Sequence, residues 1–346
     1  MTLQQLSKRP LNIPVATSWL LADLGEAKGR QELHPRREPE RLRVLREHAL
    51  IESAISSNRI EGVVVEQARV EQVVLGRSVL KDRDEQEVRG YREALSWIHE
   101  NHGGIRISAE TILRLHFLSH GQTGDAGQFK VKDSDIIEKY PDGRTRVRFK
   151  TVPAKETPGR VAEFVSLWED YRREQWAPPP IALAAANLDF LCIHPFRDGN
   201  GRVSRLLLLL MAYHVGFEVG RYISIERLIE QSKERYYETL EQSSAGWHEG
   251  LNEPWHYTNF VLTTLKNAYR EFEQRLGEAT SPRGAKSALV DAAVQAKTGH
   301  FTLAALEREC PGVSRDLIRR VLGDLRKKGA VEAIGRGPGA EWRKKS

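Results

Sequence analysis

Two stretches that are apolar on nearly every side frame one loop that is not. Residues Ile181 to Ile193 read Ile-Ala-Leu-Ala-Ala-Ala-Asn-Leu-Asp-Phe-Leu-Cys-Ile, and Leu206 to Met211 is apolar without a break. A helix that is hydrophobic all round belongs inside a core, so the sequence predicts two buried helices. The loop joining them runs His194-Pro195-Phe196-Arg197-Asp198-Gly199-Asn200-Gly201-Arg202-Val203-Ser204-Arg205. Such groups are costly to bury, and strung between two core helices they predict a site rather than a connector.

Each residue of the loop has a chemical reading. Gly199-Asn200-Gly201 permits positive φ and close backbone approach, so successive N–H groups can converge on an anion. This nest opens the second helix, whose N-terminus favours negative charge. Arg202 and Arg205 fall in its first turn, and guanidinium forks suit phosphate oxygens. Asp198 is a hard oxygen ligand placed to hold Mg2+ against those phosphates. His194 can take a proton near neutral pH. Base, metal ligand and phosphate cradle together describe attack of a hydroxyl on a nucleotide phosphate.

Singly, His-Pro-Phe reads as a helix end and Gly-Asn-Gly as a turn. Together they resemble the Fic family signature His-Pro-Phe-x-(Asp/Glu)-Gly-Asn-Gly-Arg-x-x-Arg, with all nine specified positions matched. The resemblance implies a protein adenylyltransferase that moves AMP from ATP, with Mg2+, to a Ser, Thr or Tyr hydroxyl of a target protein and of itself, releasing pyrophosphate. It implies His194 as the base, Asp198 as the metal ligand, and nucleotide contacts along Gly199, Asn200, Gly201, Arg202, Val203, Ser204 and Arg205. Arg202 would neutralise the β-phosphate and Arg205 hold the γ-phosphate, while Pro195 and Phe196 anchor the loop.

Glu40 to Ile60 is predicted helical, with Leu42, Leu45, Ala49 and Ile55 at helical spacing and Gly62 as the stop. Its end carries Ser57, Glu61 and Gly62, which resemble the family's inhibitory signature Ser/Thr-x-x-x-Glu-Gly/Asn. The resemblance implies that Glu61 pairs with Arg205 and blocks the γ-phosphate, since a carboxylate in a guanidinium fork competes with a phosphate oxygen.

The rest of the chain reads as mostly helical. Trp19–Ala27 is a short candidate; Tyr91, Leu95 and Ile98 mark one apolar face within 66–120, and Ile112, Leu115 and Leu118 another. Val147, Phe149 and Thr151 alternate with Arg146, Arg148 and Lys150 after Pro141-Asp142-Gly143, predicting a hairpin. By resemblance this hairpin, within 131–152, is a flap that holds the target by strand addition. Arg160–Trp176 is amphipathic, and Pro178-Pro179-Pro180 leads stiffly into the first buried helix. Tyr236-Tyr237 would ordinarily be core aromatics; by resemblance Tyr237 lines the adenine pocket. Trp247 and Trp255 read as packing residues of the last core helices, which run to about Arg275.

Thr280 to Gly284 reads as a linker. Beyond it, Lys286–Lys297, Leu303–Cys310 and Ser314–Lys328 are predicted helices. Val331–Trp342 is a hairpin around Gly335, Gly337 and Gly339, in all resembling a winged helix with Ser314–Lys328 as its major-groove helix. Those glycines have the wrong spacing for a dinucleotide fingerprint. Net charge is +6, yet residues 281–346 alone carry 14 Lys/Arg against 7 Asp/Glu. This asymmetry points to DNA, with docking of a protein the competing use.

The expected fold class is thus mainly α: a helical catalytic core with one β-hairpin flap and a C-terminal winged-helix-like domain. The expected division is 1–100, an N-terminal helical region holding the inhibitory helix (about 40–62); 101–278, the catalytic core; and 279–346. With no apolar run long enough to span a bilayer, no secretory leader and only Cys192 and Cys310, the chain is expected to be cytoplasmic, with neither disulfide framework nor metal cluster. The resemblance also admits a homodimer, although no self-association surface is readable. Alternatives left open are removal of AMP by the same site, transfer of another nucleotide-derived group, and a DNA-binding regulator whose core senses nucleotide.

Overall fold

The structure, a computed structural model, describes the chain apart from residues 9–11, 32–38, 67–68, 75, 77–78, 122–123, 140–141, 278–284, 298, 311–312, 336–339 and 346; of residues 39–41, 71, 139, 277, 285–286 and 288 it describes the backbone alone. Outside the described residues fall Pro10, Pro35, the Pro141 corner of the hairpin, the linker at Thr280 to Gly284, and the wing-tip glycines Gly337 and Gly339.

The first buried helix, α8 (Pro179–Ile193), is the axis of the molecule. Pro178 is extended, and Pro179 and Pro180 open the helix where no N–H is needed. The proline run therefore starts the helix as well as leading to it. Packed on α8 are α1 (Thr2–Lys8), α7 (Thr157–Glu174), α9 (Asn200–His214), α11 (Lys233–Ser244) and α12 (Trp255–Gly277). All but one of its side chains from Pro180 to Ile193 are buried. Its two polar residues are satisfied. Asn187 donates to the Ser204 carbonyl and accepts from the Tyr257 hydroxyl. Asp189 accepts the Thr2 and Leu3 amides at 2.6 and 2.8 Å and the Trp247 indole N–H at 2.6 Å. The amides at the start of α1 are thereby capped by a carboxylate nearly two hundred residues away.

Around this axis stand α2 (Val15–Gln31), α3 (Pro39–Ile60), α4 (Val70–Val74), α5 (Arg83–Asn101), α6 (Ala109–Ser119) and α10 (Ile225–Gln231). α2 is longer than the Trp19–Ala27 candidate, α1 has no counterpart in the sequence reading, and the region 66–120 resolves into three helices. Leu42, Leu45, Ala49 and Ile55 are buried as their spacing required. Trp247 lies between α11 and α12 rather than in a helix. The hairpin joins β1 (Ile136–Lys139) to β2 (Thr145–Phe149), antiparallel, with Ile137 opposite Val147.

Beyond α12 a second apolar cluster forms around Val290, Phe301, Leu306, Ile318, Leu322 and Val331. It is enclosed by α13 (Ala285–Gln295), α14 (Leu303–Glu309), α15 (Arg315–Lys327) and a sheet in the order β3 (Phe301–Thr302), β5 (Glu341–Lys344), β4 (Val331–Ile334). Ser314 caps α15 by accepting from the Leu317 amide. α13 also touches α3. Among the described residues no helix is long and apolar enough to cross a membrane, and both cysteines are buried free thiols.

Candidate active site

The polar loop is a tight reversal between α8 and α9. His194 ends α8 in the left-handed region at φ 52°, an uncommon state for a non-glycine residue that costs about 1 kcal/mol. Gly199, at φ 82°, turns the chain into α9, and a side chain there would stand 3.3 Å from the rings of His116 and His120. Asn200 holds the loop shut, donating to the Phe196 carbonyl and accepting the Phe196 amide. Phe196 is fully buried and stacks on His116, ring centroids 3.8 Å apart. His116 in turn lies 3.0 Å from the Asp198 carbonyl and accepts the Gly127 amide on Nδ1. Pro195 accepts the Lys130 amide. The anchoring role read for Pro195 and Phe196 is what the packing displays.

His194 Nδ1 is 3.3 Å from the Leu191 carbonyl, which places the ring proton on Nδ1 and the lone pair on Nε2. Burial, and then the Lys130 ammonium, bring the imidazole down to about 4, so it is neutral at pH 7. Asp198 accepts the Gly199 amide on Oδ1 and the Arg83 guanidinium on Oδ2, at 2.7 Å each. Burial alone would push its carboxyl up, but Arg202 and Arg83 hold it below its ordinary value. It is thus a half-exposed anion, a hard oxygen donor of the kind that ligates divalent cations. Glu87 and His120 lie close enough to share an ion with it. Both are buried against Arg202, with Glu87 Oε2 2.5 Å from Arg202 Nη1, so Asp198 is the ligand on offer.

Arg205 is the counterpart on the other side of Gly201. Its Nε donates to the Ser57 hydroxyl, and its Nη2 to the Ser57 carbonyl and to Glu61 Oε1, at 2.8 to 2.9 Å. Nη1 is buried without a partner among the described residues, as is Arg202 Nε. A side chain on Gly201 would meet Glu61 Oε1 at 2.1 Å and Arg205 Nη1 at 3.1 Å. Glu61 therefore occupies the space left by the missing side chain. Gly62, at φ 85°, ends α3 and lets Glu61 turn there. Ser57 and Glu61 thus meet at Arg205, and Gly62 ends the helix beside them.

From Glu61 a cavity of about 340 Å³ runs beneath the hairpin, lined by His194, Gly201, Tyr236, Tyr237, Leu188 and Leu240 and closed by Arg148 and Phe149 of β2. A space of this size with an apolar floor suits one small organic ligand. Tyr237 is at the wall, its ring 5.7 Å from the Arg148 guanidinium. Val203 and Ser204 are fully buried, and the Ser204 hydroxyl donates to the Gly201 carbonyl, so what they bring to the site is the first turn of α9.

Residues that the sequence did not single out complete the site. Arg83 and Glu87 lie four apart on α5, and His116 and His120 four apart at the end of α6. Both spacings put charge or imidazole on one helix face, which was the available signal. Lys130, 5% exposed, donates from Nζ to the Thr151 hydroxyl, which donates to the Ser134 carbonyl and so ties the two legs of the hairpin.

Comparison with known proteins bears on the family and the fold. The profile of the Fic/DOC family matches residues 106–212. The chain is 27% identical over 202 residues to protein adenylyltransferase Fic of Nematostella vectensis, covering 55% of this chain and 42% of that protein. It is 29% identical over 152 residues to protein adenylyltransferase fic-1 of Caenorhabditis briggsae, covering 42% and 27%. The chain thus spans less than half the length of these curated relatives. Among solved structures it resembles a Fic family protein from Desulfovibrio desulfuricans, with TM-score 0.61 at 23% identity over 97% of this chain and 98% of the other. It also resembles a Fic domain containing signaling protein from Bacteroides thetaiotaomicron, with TM-score 0.61 at 18% identity over 76% and 100%. At these identities the likeness in structure is one of fold.

Proposed function

We propose that the Fic domain carried by this chain is a protein adenylyltransferase held off by its own Glu61. The observation that carries the reading is Arg205: a buried guanidinium with one nitrogen unpartnered, aimed at the vacancy over Gly201 that a carboxylate now fills. A cation held ready in a dry site is a strong ligand for a phosphate oxygen.

In this reading the nucleoside lies in the cavity against Tyr237, and the phosphates run over the amides of Gly199, Asn200 and Gly201 toward Arg202 and Arg205. His194 Nε2 takes the proton of a Ser, Thr or Tyr hydroxyl on the target protein. The oxygen forms a bond to the α-phosphorus of ATP, the bond from that phosphorus to the bridging oxygen breaks, and pyrophosphate leaves with the electron pair. Asp198 would hold Mg2+, which when bound supplies positive charge to the phosphates. Glu61 and the γ-phosphate compete for Arg205, so the plug must leave before ATP seats productively. The hairpin edge at β1–β2 is where a target segment would add as a strand.

The test is transfer from α-labelled ATP, with Mg2+, to the protein itself and to a cell extract. Glu61→Gly is expected to raise labelling about tenfold or more over wild type, and Glu61→Gly with His194→Ala to abolish it. Nucleotide binding without label in any variant would refute AMP transfer, and equal labelling of wild type and Glu61→Gly would refute the plug.

A further inference from the structure

None of the residues proposed for that chemistry lies in the C-terminal unit, and α15 presents a face that its own fold does not require. The helix buries Ile318, Val321, Leu322 and Leu325. Outward it exposes Arg315, Arg319, Arg320, Arg326 and Lys327, with Asp316 and Asp324 between them. Arg319 and Lys327 lean on those acids only at 3.6 Å and in solvent, where such pairs contribute little and exchange readily for other anions. Arg315 reaches Glu307 of α14. The side chains of Arg320 and Arg326 have no hydrogen-bond or ion-pair partner among the described residues.

Gly323 sits in the middle of this helix, three or four residues from Arg319, Arg320, Arg326 and Lys327. Glycine there costs about 1 kcal/mol relative to alanine. Among the described residues nothing lies within 4 Å of where a side chain would begin, so no packing among them calls for its absence. A bare backbone ringed by cations is what a large anionic surface needs in order to approach closely.

We infer that this face of α15 docks on duplex DNA. A 13-residue helix is about 20 Å long and fits a B-form major groove about 12 Å wide, whereas the deep, narrow major groove of A-form RNA does not admit it. The face carries no exposed large apolar side chain; in this unit Ile334, on β4, is the one so placed among the described residues. A membrane surface or a protein hot spot would need such anchors. The excess of 14 Lys/Arg over 7 Asp/Glu in residues 281–346 supplies the long-range attraction, while the rest of the chain is near neutral.

The test is fluorescence anisotropy of the full chain with a 20-base-pair duplex pool of random sequence, at 50 and 200 mM salt. With three phosphate contacts, affinity should fall about 40-fold across that range. Arg319→Gln with Arg320→Gln should weaken binding at least tenfold and flatten the salt slope, while Arg172→Gln with Arg173→Gln on α7 should change neither. Gly323→Ala should raise Tm, and Gly323→Leu should weaken DNA binding at least tenfold with Tm no lower than wild type. DNA binding indifferent to the α15 variants would overturn the inference. So would equal binding to double-stranded RNA, or to vesicles containing 30% phosphatidylserine. None of these readouts depends on nucleotide transfer.

Discussion

At the scale of single residues, readiness for chemistry rests on where protons sit. The charged groups facing His194 are Lys130 from the segment before β1, Glu61 from the end of α3 and Asp198 from its own loop. Of these Lys130 alone opposes charging of the imidazole, and burial adds to it. A base of ordinary histidine pKa would lose roughly nine-tenths of its free form by pH 5.5, whereas one near 4 keeps nearly all of it. Transfer by the Glu61→Gly protein is therefore expected to stay within about twofold between pH 7.5 and 5.5. Lys130→Met should draw the acid limb of that profile upward, while Lys130→Arg should restore it. A loss equal at every pH would reduce Lys130 to a tie between the legs of the hairpin. Glu87 balances the buried Arg202, so Glu87→Gln should cost about 3 kcal/mol of stability, read from chemical denaturation.

At the scale of elements, the hairpin is fastened to α11 by charge. Arg146 and Arg148 of β2 reach the Glu241 carboxylate at 2.6 and 3.1 Å, and Arg148 also donates to the Tyr237 carbonyl. Glu241→Ala is expected to speed amide exchange across residues 136–149 several-fold while leaving α8 protected; unchanged exchange would mean that the apolar contacts of Phe149 suffice. How much of this was readable beforehand follows from how each element is specified. The motif loop and the end of α3 are contiguous, so residue type and spacing carried them, as did the apolar seams of α3 and α5. Arg83, Glu87, His116 and His120 enter the site only because α5 and α6 pack beside α9, and Asp189 caps α1 only because the chain returns. Tertiary proximity of that kind is not itself written in the sequence; its visible marks were the four-residue spacings on α5 and α6 and a charged Asp189 inside the largely apolar α8.

At the scale of the whole molecule, two apolar clusters mean two cores. Leu322 is fully buried in the smaller one, and Leu322→Ala should cost that unit about 2–5 kcal/mol. Its melting transition should fall while, in the proposed reading, the affinity for ATP is unchanged; a matching loss of ATP binding would show that the units stand or fall together. The protein should also be acid-labile. Burial first of all lowers His48, His116 and His194 to about 4 and His99 to about 3. A lowered imidazole leaves the unfolded chain binding more protons between about pH 4 and 6.5. Stability from these groups is complete above 6.5 and is lost as pH falls through that window, so Tm should drop there.

The vacancy over Gly201 has a consequence for how such a protein would respond to its surroundings. One space serves the Glu61 carboxylate and, in the proposed reading, a phosphate, and the two exclude each other. Inhibition is then a contest against an internal standard, with apparent nucleotide affinity equal to the intrinsic value scaled by the fraction of molecules whose plug is out. Every 1.4 kcal/mol in the Glu61–Arg205 pair moves the half-saturating nucleotide concentration tenfold. The molecule would behave as a gauge with an adjustable threshold, reset in small steps by whatever strengthens or loosens the end of α3.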